Sequence, residues 1–483
     1  MSGAMAHDPG ALLPELLLLG GAVVGLLLGA WLPRRRQYLV RLLAATVALG
    51  GLVAAAVAAR QPDQLVFGTG FAVDTPTHAT RVVVLGSVLL ALALSVPATT
   101  GHRRETEFVV LLQLGALGAM LLGGANDLLL LFAAFLLASI PLYALAGWDA
   151  RPLGAEAALK YYLTGAFLGV AMLAGVTILS GVGAATGYGP LRDGLAAAPP
   201  AAVGVGLVAL LAGLAFKIGA VPGHFWVPDV ADGTPAAVAA VVTTIPKVGG
   251  LVALYRLLVV AVPPEVVAWP LLVAVLAAAS MTLGNLAAFL QSSVQRLLGY
   301  STISQVGYLL MAVAVAGRAD LAQPALLFYL AAYAVANLGA FAVVAALPWA
   351  RTLDDFRGAV HRAPRLVAAL VVCLLGLVGT PPTAVFVGKL TVFTAAVDGG
   401  FAWLAVLAVV NTVASLFYYL RWIAPTMRRP AAGEPVGEAS AAGRPGASWP
   451  AGAAYACATV VVALGVLGGV VLTVLAGPPV AAP

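Results

Sequence analysis

The stretch from Leu214 to Asp229 reads LAFKIGAVPGHFWVPD, and it decides how the rest of the chain is interpreted. It continues an apolar run from Val203, so Lys217 stands where the middle of a membrane-spanning helix is expected. An ionisable side chain at that depth costs about 2.5–3.5 kcal/mol on insertion scales, which makes it a candidate for function. Pro222 interrupts the helix, and freed backbone groups at membrane depth are tolerated only inside protein or beside a hydrated cavity. Lys217, the break and the following His224 therefore predict an ion-handling site within a membrane.

The composition indicates a membrane protein. The chain has 483 residues, of which 62% are hydrophobic and 9% are charged, and no soluble domain of this length has that balance. The net charge of +6 comes from short basic loops and does not indicate nucleic-acid binding. Cys373 and Cys457 lie in apolar runs without metal-ligand spacing, and no glycine-rich nucleotide loop or CxxC pair is present. We therefore expect no metal and no cofactor on this chain.

Apolar runs of about 20 residues recur along the sequence, which predicts an all-α polytopic membrane protein with about fourteen transmembrane helices. Lys and Arg are concentrated in the loops after odd-numbered spans, with seventeen residues against four after even-numbered spans. This bias predicts a multi-pass protein with both termini outside. The predicted spans are 11–32, 38–59, 79–99, 107–124, 127–147, 158–183, 201–222, 235–260, 267–290, 300–317, 323–348, 365–388, 400–424 and 452–477.

A second interrupted span points to an internal repeat. Residues 376–389 read GLVGTPPTAVFVGK and again combine a proline break with a lysine, Lys389. The two breaks are five spans apart, and an odd offset reverses the orientation of the second unit. We therefore predict two inverted five-helix units with broken helices 7 and 12. The predicted divisions are 1–104 (peripheral helices 1–3), 105–262 (helices 4–8), 263–427 (helices 9–13) and 428–483 (a cytoplasmic loop and helix 14).

Three lysines are predicted within spans. Lys217 and Lys389 accompany the breaks, and Lys247 follows Pro246 in the eighth span. Burial disfavours the charged form of an amine, so lysines separated by water can pass a proton by alternating between neutral and charged forms. His224 is either a bridge between Lys217 and Lys247 or a satisfied core histidine.

Other polar residues near the breaks have less specific interpretations. Asp229 and Asp232 are expected to act in loop structure or capping, and Lys160 to mark the cytoplasmic interface. Residues 300–305, YSTISQ, offer hydroxyls and an amide for a water path, although ordinary helix packing accounts for them equally well.

Several runs together resemble the antiporter-like subunits of respiratory complex I, and subunit N in particular. The resemblance covers residues 105–425 and is carried by FKIGAVPGHFWVPDV (216–230), MTLGNLAA (281–288), RLLGYS (296–301), YAVANLGAFAVV (333–344), GTPPTAVFVGK (379–389) and YYLR (418–421). It implies a fourteen-helix, inverted-repeat, proton-pumping subunit without a redox centre. NADH and quinone would be used by the whole complex, and the partners would be its other membrane subunits and the lipid bilayer. The resemblance also implies that this bilayer is the bacterial plasma membrane. The central lysines of the family map onto Lys217, Lys247 and Lys389.

One position departs from the family pattern. Family members usually carry a glutamate in helix 5, and counting back from Ser139 and Pro141 in the run FAAFLLASIPLY (132–143) places Leu136 there. No acidic residue occurs between Asp127 and Asp149, so the resemblance implies that Lys217 lacks its usual carboxylate partner.

These observations leave three functions open. The first is a proton-translocating membrane subunit of an NADH–quinone oxidoreductase, with Lys217 and Lys247 as central relay groups, His224 as a bridge and Lys389 as the exit-side group. The second is a divergent structural subunit of the same complex, whose pumping is impaired because Leu136 replaces the glutamate. The third is a subunit of a cation/proton antiporter.

Overall fold

The computed structural model describes residues 9–148, 151–428 and 448–476, and most of them are helical. In these residues, thirteen segments are long and apolar enough to cross a membrane. The helices of the first half are α1 (Leu13–Trp31), α2 (Tyr38–Ala58), α3 (Thr75–Thr99), α4 (Glu105–Gly124), α5 (Leu128–Leu137), α6 (Ile140–Ala146), α7 (Pro152–Gly183), α8 (Tyr188–Ala197), α9 (Pro200–Ile218), α10 (Trp226–Gly233) and α11 (Ala236–Arg256). Those of the second half are α12 (Trp269–Ala288), α13 (Val294–Ala314), α14 (Ala322–Ala346), α15 (Ala359–Arg362), α16 (Pro364–Val378), α17 (Ala384–Asp398), α18 (Ala402–Met427), α19 (Trp449–Val466) and α20 (Gly468–Val474).

The all-α, polytopic fold class predicted from the sequence is confirmed. The twelfth predicted span is divided into α16 and α17, and the other thirteen correspond to the thirteen apolar segments. A small antiparallel hairpin of β1 (Gln64–Val66) and β2 (Phe71–Val73) connects α2 to α3. The inverted repeat and the four predicted divisions stay predictions, and most of the predicted cytoplasmic loop, residues 429–447, lies outside the described residues.

Both predicted helix breaks are present and begin in the same way. Helix α9 ends at Ile218, and Gly219 follows with φ of 74°; α16 ends at Val378, and Gly379 follows with φ of 87°. Only glycine adopts this left-handed conformation readily, so each glycine ends its helix. The seventh span was predicted to continue to residue 222, but the helix stops four residues earlier. The short helix α10 then follows the break as a separate element.

A third break, in the fifth span, was not predicted. The expected continuous helix 127–147 is divided into α5 and α6. Pro141 has no N–H to donate to the preceding turn, and the N–H of Leu142 bonds to Ser139 O at 3.0 Å instead of continuing the α-helical pattern to Ala138. The carbonyl of Ala138 is thereby freed within the membrane span.

The core of the molecule contains α11, α13 and α14, which are enclosed by protein on nearly all sides. Helix α11 stays helical through Pro246 and ends in a π-helical turn, Leu257–Ala261. These three enclosed helices hold most of the buried polar side chains described below.

Helices 1–3 were predicted to be peripheral, but α3 contacts the core directly, packing against α4, α11, α14 and α19. Arg256 of α11 donates two hydrogen bonds of 2.7 Å to the carboxylate of Asp74, which also caps the first turn of α3. Arg81, near the start of the third predicted span, is fully buried in α3 and pairs with Glu15 of α1 at 2.7 Å. Polar side chains at the start of α3 therefore join it to α1 and α11.

We expect Arg256→Leu to destabilise the protein strongly, because it leaves the carboxylate of Asp74 buried without a cation. Breaking a buried pair by removing one partner costs about 3–5 kcal/mol. The matched control is the double variant Asp74→Asn with Arg256→Leu, which removes both charges and keeps an N-cap side chain. Thermal unfolding of the purified protein in detergent should show a large loss for the single variant and a smaller loss for the double. Equal melting temperatures for the native chain and Arg256→Leu would contradict the expectation.

Candidate functional site

Lys217 lies in the last turn of α9, and its side chain is buried against the break between α5 and α6. Its Nζ donates hydrogen bonds to Ala138 O, at 3.1 Å, and to Ser139 Oγ. The ring of Phe135 lies 4.8 Å from Nζ, close enough for a cation–π contact. The unpredicted break in the fifth span thus supplies the carbonyl and hydroxyl that hold this amine.

No carboxylate lies within 4.0 Å of Lys217 Nζ in the described part of the chain. Asp127 caps α5 by accepting the N–H groups of Leu129 and Leu130, so it is engaged at the opposite end of that helix. Leu136 is 38% exposed on the outer surface, whereas Phe135 faces the amine. An aromatic ring and a hydroxyl therefore form the surroundings in which a carboxylate was expected.

Lys247 is fully buried in α11 and contacts the first break from the other side. Its Nζ donates to the carbonyl of Ile218, the last residue of α9, at 2.9 Å. The carbonyls at a helix C-terminus have no intrahelical partner and carry the negative end of the helix dipole, so they favour a cation. A Cβ atom on Gly219 would lie 2.8 Å from Lys247 Nζ, so the absence of a side chain there makes room for the amine.

Lys389 makes the corresponding contact at the second break. Its Nζ donates to the carbonyl of Val378, the last residue of α16, at 2.9 Å, and to Thr412 Oγ1 at 3.2 Å. The ring of Tyr308 lies 4.1 Å from the amine. Lys247 and Lys389 therefore each bind the C-terminal carbonyl of an interrupted helix.

His224 is buried in the segment between α9 and α10, beside the ring of Phe225 at 4.4 Å. Its Nδ1 has no hydrogen-bond partner within the residues that the structure describes. No hydrogen bond joins it to Lys217 or Lys247 there, so the structure does not place it in direct contact with either predicted neighbour.

Buried polar side chains extend from Lys247 towards Lys389; we call Thr243, Thr244, Asn337, Tyr333, Thr302 and Gln305 the central polar track. Asn337 Nδ2 donates to the hydroxyls of Thr243 and Thr244 at 3.0 and 2.9 Å. Tyr333 OH bonds to Thr302 Oγ1 at 3.0 Å and to the carbonyl of Thr243 at 2.8 Å.

The track reaches the second break through α13. Gln305 lies one turn beyond Thr302 on α13, and its amide donates to the carbonyl of Leu377 at 2.8 Å. Leu377 precedes Val378, whose carbonyl binds Lys389. Thr243 in turn lies one turn before Lys247 on α11. Polar groups thus connect the surroundings of the two lysines through the enclosed core.

The spacing of polar residues on α14 is a sequence signal for this track. Tyr329, Tyr333 and Asn337 are spaced four residues apart and therefore share one face of α14. Tyr329 OH donates to Gln305 Oε1 at 2.7 Å. Within the run 300–305, Thr302 and Gln305 make contacts in the track. The water path suggested for this run stays a prediction.

Asp229 joins three helices beside the site. Its carboxylate accepts from Lys160 Nζ of α7 at 2.9 Å and from Arg296 Nη1 of α13 at 2.7 Å. Burial alone would raise the pKa of Asp229, but the hydrogen bonds and charges of Lys160 and Arg296 outweigh it and hold that pKa below its usual value. Asp232 accepts a hydrogen bond from Ser293, the N-cap of α13, at 2.5 Å. Both aspartates therefore fix α10 against its neighbours, a structural role like that expected.

Comparisons with known proteins agree with the resemblance seen in the sequence. Residues 125–415 match the family model described as NADH:quinone oxidoreductase/Mrp antiporter, TM. An NADH-quinone oxidoreductase subunit N 1 of Streptomyces griseus is 60% identical, over 98% of this chain and 99% of that protein. An NADH-quinone oxidoreductase subunit N of a Mycobacterium species is 49% identical, over 97% and 98%.

Solved membrane complexes contain chains with the same fold. A chain of respiratory complex I from Thermus thermophilus has 33% identity and a TM-score of 0.82, covering 96% of this chain and 99% of that one. A chain of the Mrp complex from Dietzia sp. has a TM-score of 0.85 at 22% identity, covering 97% and 96%, which shows the fold alone. The neighbours of such chains in their complexes are other membrane subunits.

We expect Gly219→Ala to lower the melting temperature of the protein more than Gly317→Ala does. Both glycines have positive φ, at 74° and 75°, so an alanine carries a similar backbone cost of about 1 kcal/mol at either site. A Cβ on Gly219 meets Lys247 Nζ and Val227 at 2.8 Å, whereas one on Gly317 meets nothing within 4 Å. Thermal unfolding of both variants measures the difference, and equal losses would show that the amine moves aside freely.

Proposed function

The chain belongs to the subunit N family of NADH-quinone oxidoreductases, and from that premise we propose that it conducts protons across the membrane through its buried lysines. It contains the antiporter-like membrane fold of that family. Quinone reduction elsewhere in the complex would drive the transfer. NADH and quinone would act on other subunits, with no cofactor on this chain. Its relatives in Streptomyces griseus and a Mycobacterium species support a location in the bacterial plasma membrane, and the Lys and Arg bias supports both termini outside.

The observation that carries this proposal is the series of buried polar groups that lies between the two helix breaks. Lys247 and Lys389 each donate to the terminal carbonyl of a broken helix, and the central polar track joins their surroundings. Buried polar groups in a membrane core are expensive unless they are paired, and those that persist there mark ion or proton pathways. A purely structural core of this size would not need a polar route across three enclosed helices.

The proposed transfer uses the lysines as the groups that gain and lose the proton. A lysine ammonium has three N–H donors and no acceptor, so it can hold its carbonyl while directing another N–H at a water molecule. Lys217 would receive a proton at the α5–α6 break and pass it towards Lys247, whose acceptor Ile218 adjoins Lys217 in sequence. The hydroxyls and amides of the track would order water between Lys247 and Lys389, and Lys389 would release the proton. His224 would serve as a bridge through water, since it has no direct contact with either lysine.

A second function, a structural subunit without active pumping, is favoured by one specific observation. Lys217 faces the ring of Phe135, and no described carboxylate pairs with it. Without such a partner, no described carboxylate can bind the Lys217 amine and release it in alternation. The third function, a cation/proton antiporter subunit, is supported by the fold shared with the Mrp chain and by a family model that includes Mrp antiporters. Relatives of 60% and 49% identity, however, bear the name of subunit N.

We expect Asn337→Leu to lower proton pumping by assembled complex several-fold, because it removes the amide that bonds Thr243 and Thr244 and puts an apolar side chain in the track. Gln113→Leu is the matched control, since Gln113 of α4 is also a fully buried amide but has no contact with the track. Fluorescence quenching by a pH-sensitive dye in proteoliposomes, divided by the rate of NADH oxidation, measures pumping. Lys247→Ala and Lys389→Ala should show the same loss as Asn337→Leu. Normal pumping in all three variants would refute the proposed pathway.

The Lys217→Ala variant separates the two leading functions. If Lys217 belongs to the relay, this variant lowers the pumped protons per NADH, while Lys160→Ala, which removes a partly exposed lysine, does not. If the subunit is structural at its first break, Lys217→Ala leaves pumping unchanged. Introducing a carboxylate by Phe135→Glu, at the position that faces the amine, should then raise the yield. The corresponding Leu136→Glu change, on the exposed face, should have the smaller effect.

A further inference from the structure

An apolar cleft of about 550 Å³ lies between α2, α3, α14, α19 and α20, apart from the lysines and the track. Its walls along α3 extend from Thr75 to Leu90, which corresponds to about 22 Å of helix. The hydrocarbon core of a bilayer is about 30 Å thick, so the cleft runs from one membrane surface past the midplane. Cys457 of α19 and Leu338 of α14 line its deep end.

The carboxylate and the imidazole that line the cleft lie at its outer end. Asp63, Thr75 and His78 line the mouth, where α2 has ended and α3 begins. The one polar side chain deeper in the cleft, Ser87, donates its hydroxyl to Val83 O at 2.6 Å and is satisfied within its own helix. A polar mouth at the membrane surface above a long apolar channel matches an amphiphile with one headgroup and an extended chain.

The cleft is too small to enclose a transmembrane helix of a partner subunit. A spanning helix is about 30 Å long and at least about 10 Å wide, which corresponds to a volume above about 2000 Å³. Sites for small molecules have volumes of about 300–1000 Å³, and the cleft falls within that range. A flexible hydrocarbon chain fits the available space.

The charges at the mouth indicate the headgroup. Asp63 is exposed and forms no ion pair within the described residues, whereas the neighbouring Asp74 is bound to Arg256. Partial burial and the charge of Asp74 raise the pKa of Asp63, although Arg256 opposes them, so a further cation beside this carboxylate would be favourable. Arg60 precedes Asp63 by three residues in the turn after α2 and is also exposed and without an ion pair among the described residues. A carboxylate that lines the mouth and a guanidinium three residues before it in sequence, both without an ion pair among the described residues, complement a headgroup with one ammonium and one phosphate.

We propose that this cleft binds phosphatidylethanolamine, with one acyl chain along α3, α14 and α19, the ammonium group at Asp63 and the phosphate at Arg60. The lipid fills the space between the α2–α3 pair and the C-terminal helices. It therefore ties the first three helices to α14 and α19 on the side where protein packing leaves an opening. This site is separate from proton transfer and does not depend on it.

The test uses purified complex containing this chain, in nanodiscs with phosphatidylethanolamine that carries a photoactivatable diazirine near the end of one acyl chain. Mass spectrometry of the irradiated complex should locate adducts on peptides of α3, α14 and α19, close to Leu90, Leu338 and Cys457. In Gly86→Leu the new side chain enters the cleft, since a Cβ on Gly86 meets nothing within 4 Å. This variant should lose the adducts several-fold. The control Gly181→Leu on α7 adds the same side chain at an equally open site outside the cleft and should keep them.

The headgroup is tested with a phosphatidylglycerol probe that has the same photoactivatable chain. The native complex should be labelled several-fold more by phosphatidylethanolamine, and Asp63→Asn should remove most of that preference. Equal labelling by both lipids in the native complex would refute the headgroup, and unchanged labelling in Gly86→Leu would refute the site. Stronger labelling by an isoprenoid quinone probe than by phosphatidylethanolamine would assign the cleft to a quinone and overturn the proposal.

Discussion

The structure depends on one kind of hydrogen bond: buried lysine amines donate to backbone carbonyl groups that helix breaks leave without an N–H partner. A lysine in hydrocarbon lacks the water that would bind its protons, and a broken helix leaves carbonyls without N–H partners. At the α5–α6 break, at the end of α9 and at the end of α16, a lysine donates a hydrogen bond to such a carbonyl, so each group satisfies the other. Neither the breaks nor the lysines would be tolerated alone. Their positions are therefore linked, and each lysine lies within hydrogen-bond reach of the helix end that accommodates it.

Much of the fold could be predicted because each membrane-spanning helix appears in the sequence as an apolar run of about 20 residues. The two glycine–proline breaks were also evident, since a proline and a nearby lysine within an apolar run together indicate an interrupted membrane helix. The break at Ser139 was not evident, because the fifth span is strongly apolar on both sides and Pro141 is compatible with a helix whose first turn begins there. The buried pairing of Arg81 was not evident, because its partner, Glu15, is 66 residues away, and a pairing over that distance leaves no local pattern.

The candidate site was only partly visible in the sequence for the same reason. The three lysines were evident individually, because each is a charged residue within an apolar run. The track is made of threonine, asparagine, tyrosine and glutamine, which occur in many helices, and only the geometry of α11, α13 and α14 brings them together. His224 shows the opposite case, since a conspicuous residue beside a break has no direct contact with the lysines it was expected to bridge. Leu136 shows that a position inferred by counting along a motif need not face the residue it was matched with.

The pairing of Asp74 with Arg256 has a consequence for motion. Helix α11 carries Lys247 in its middle and Arg256 at its end, and the ion pair fastens that end to the first turn of α3. The half-helices α16 and α17 are shorter, with 15 residues each, and they meet at the second break. The ends of α11 and of these two helices are therefore held with different firmness. If the lysines change partners during turnover, we expect α16 and α17 to move, with α11 as the fixed reference.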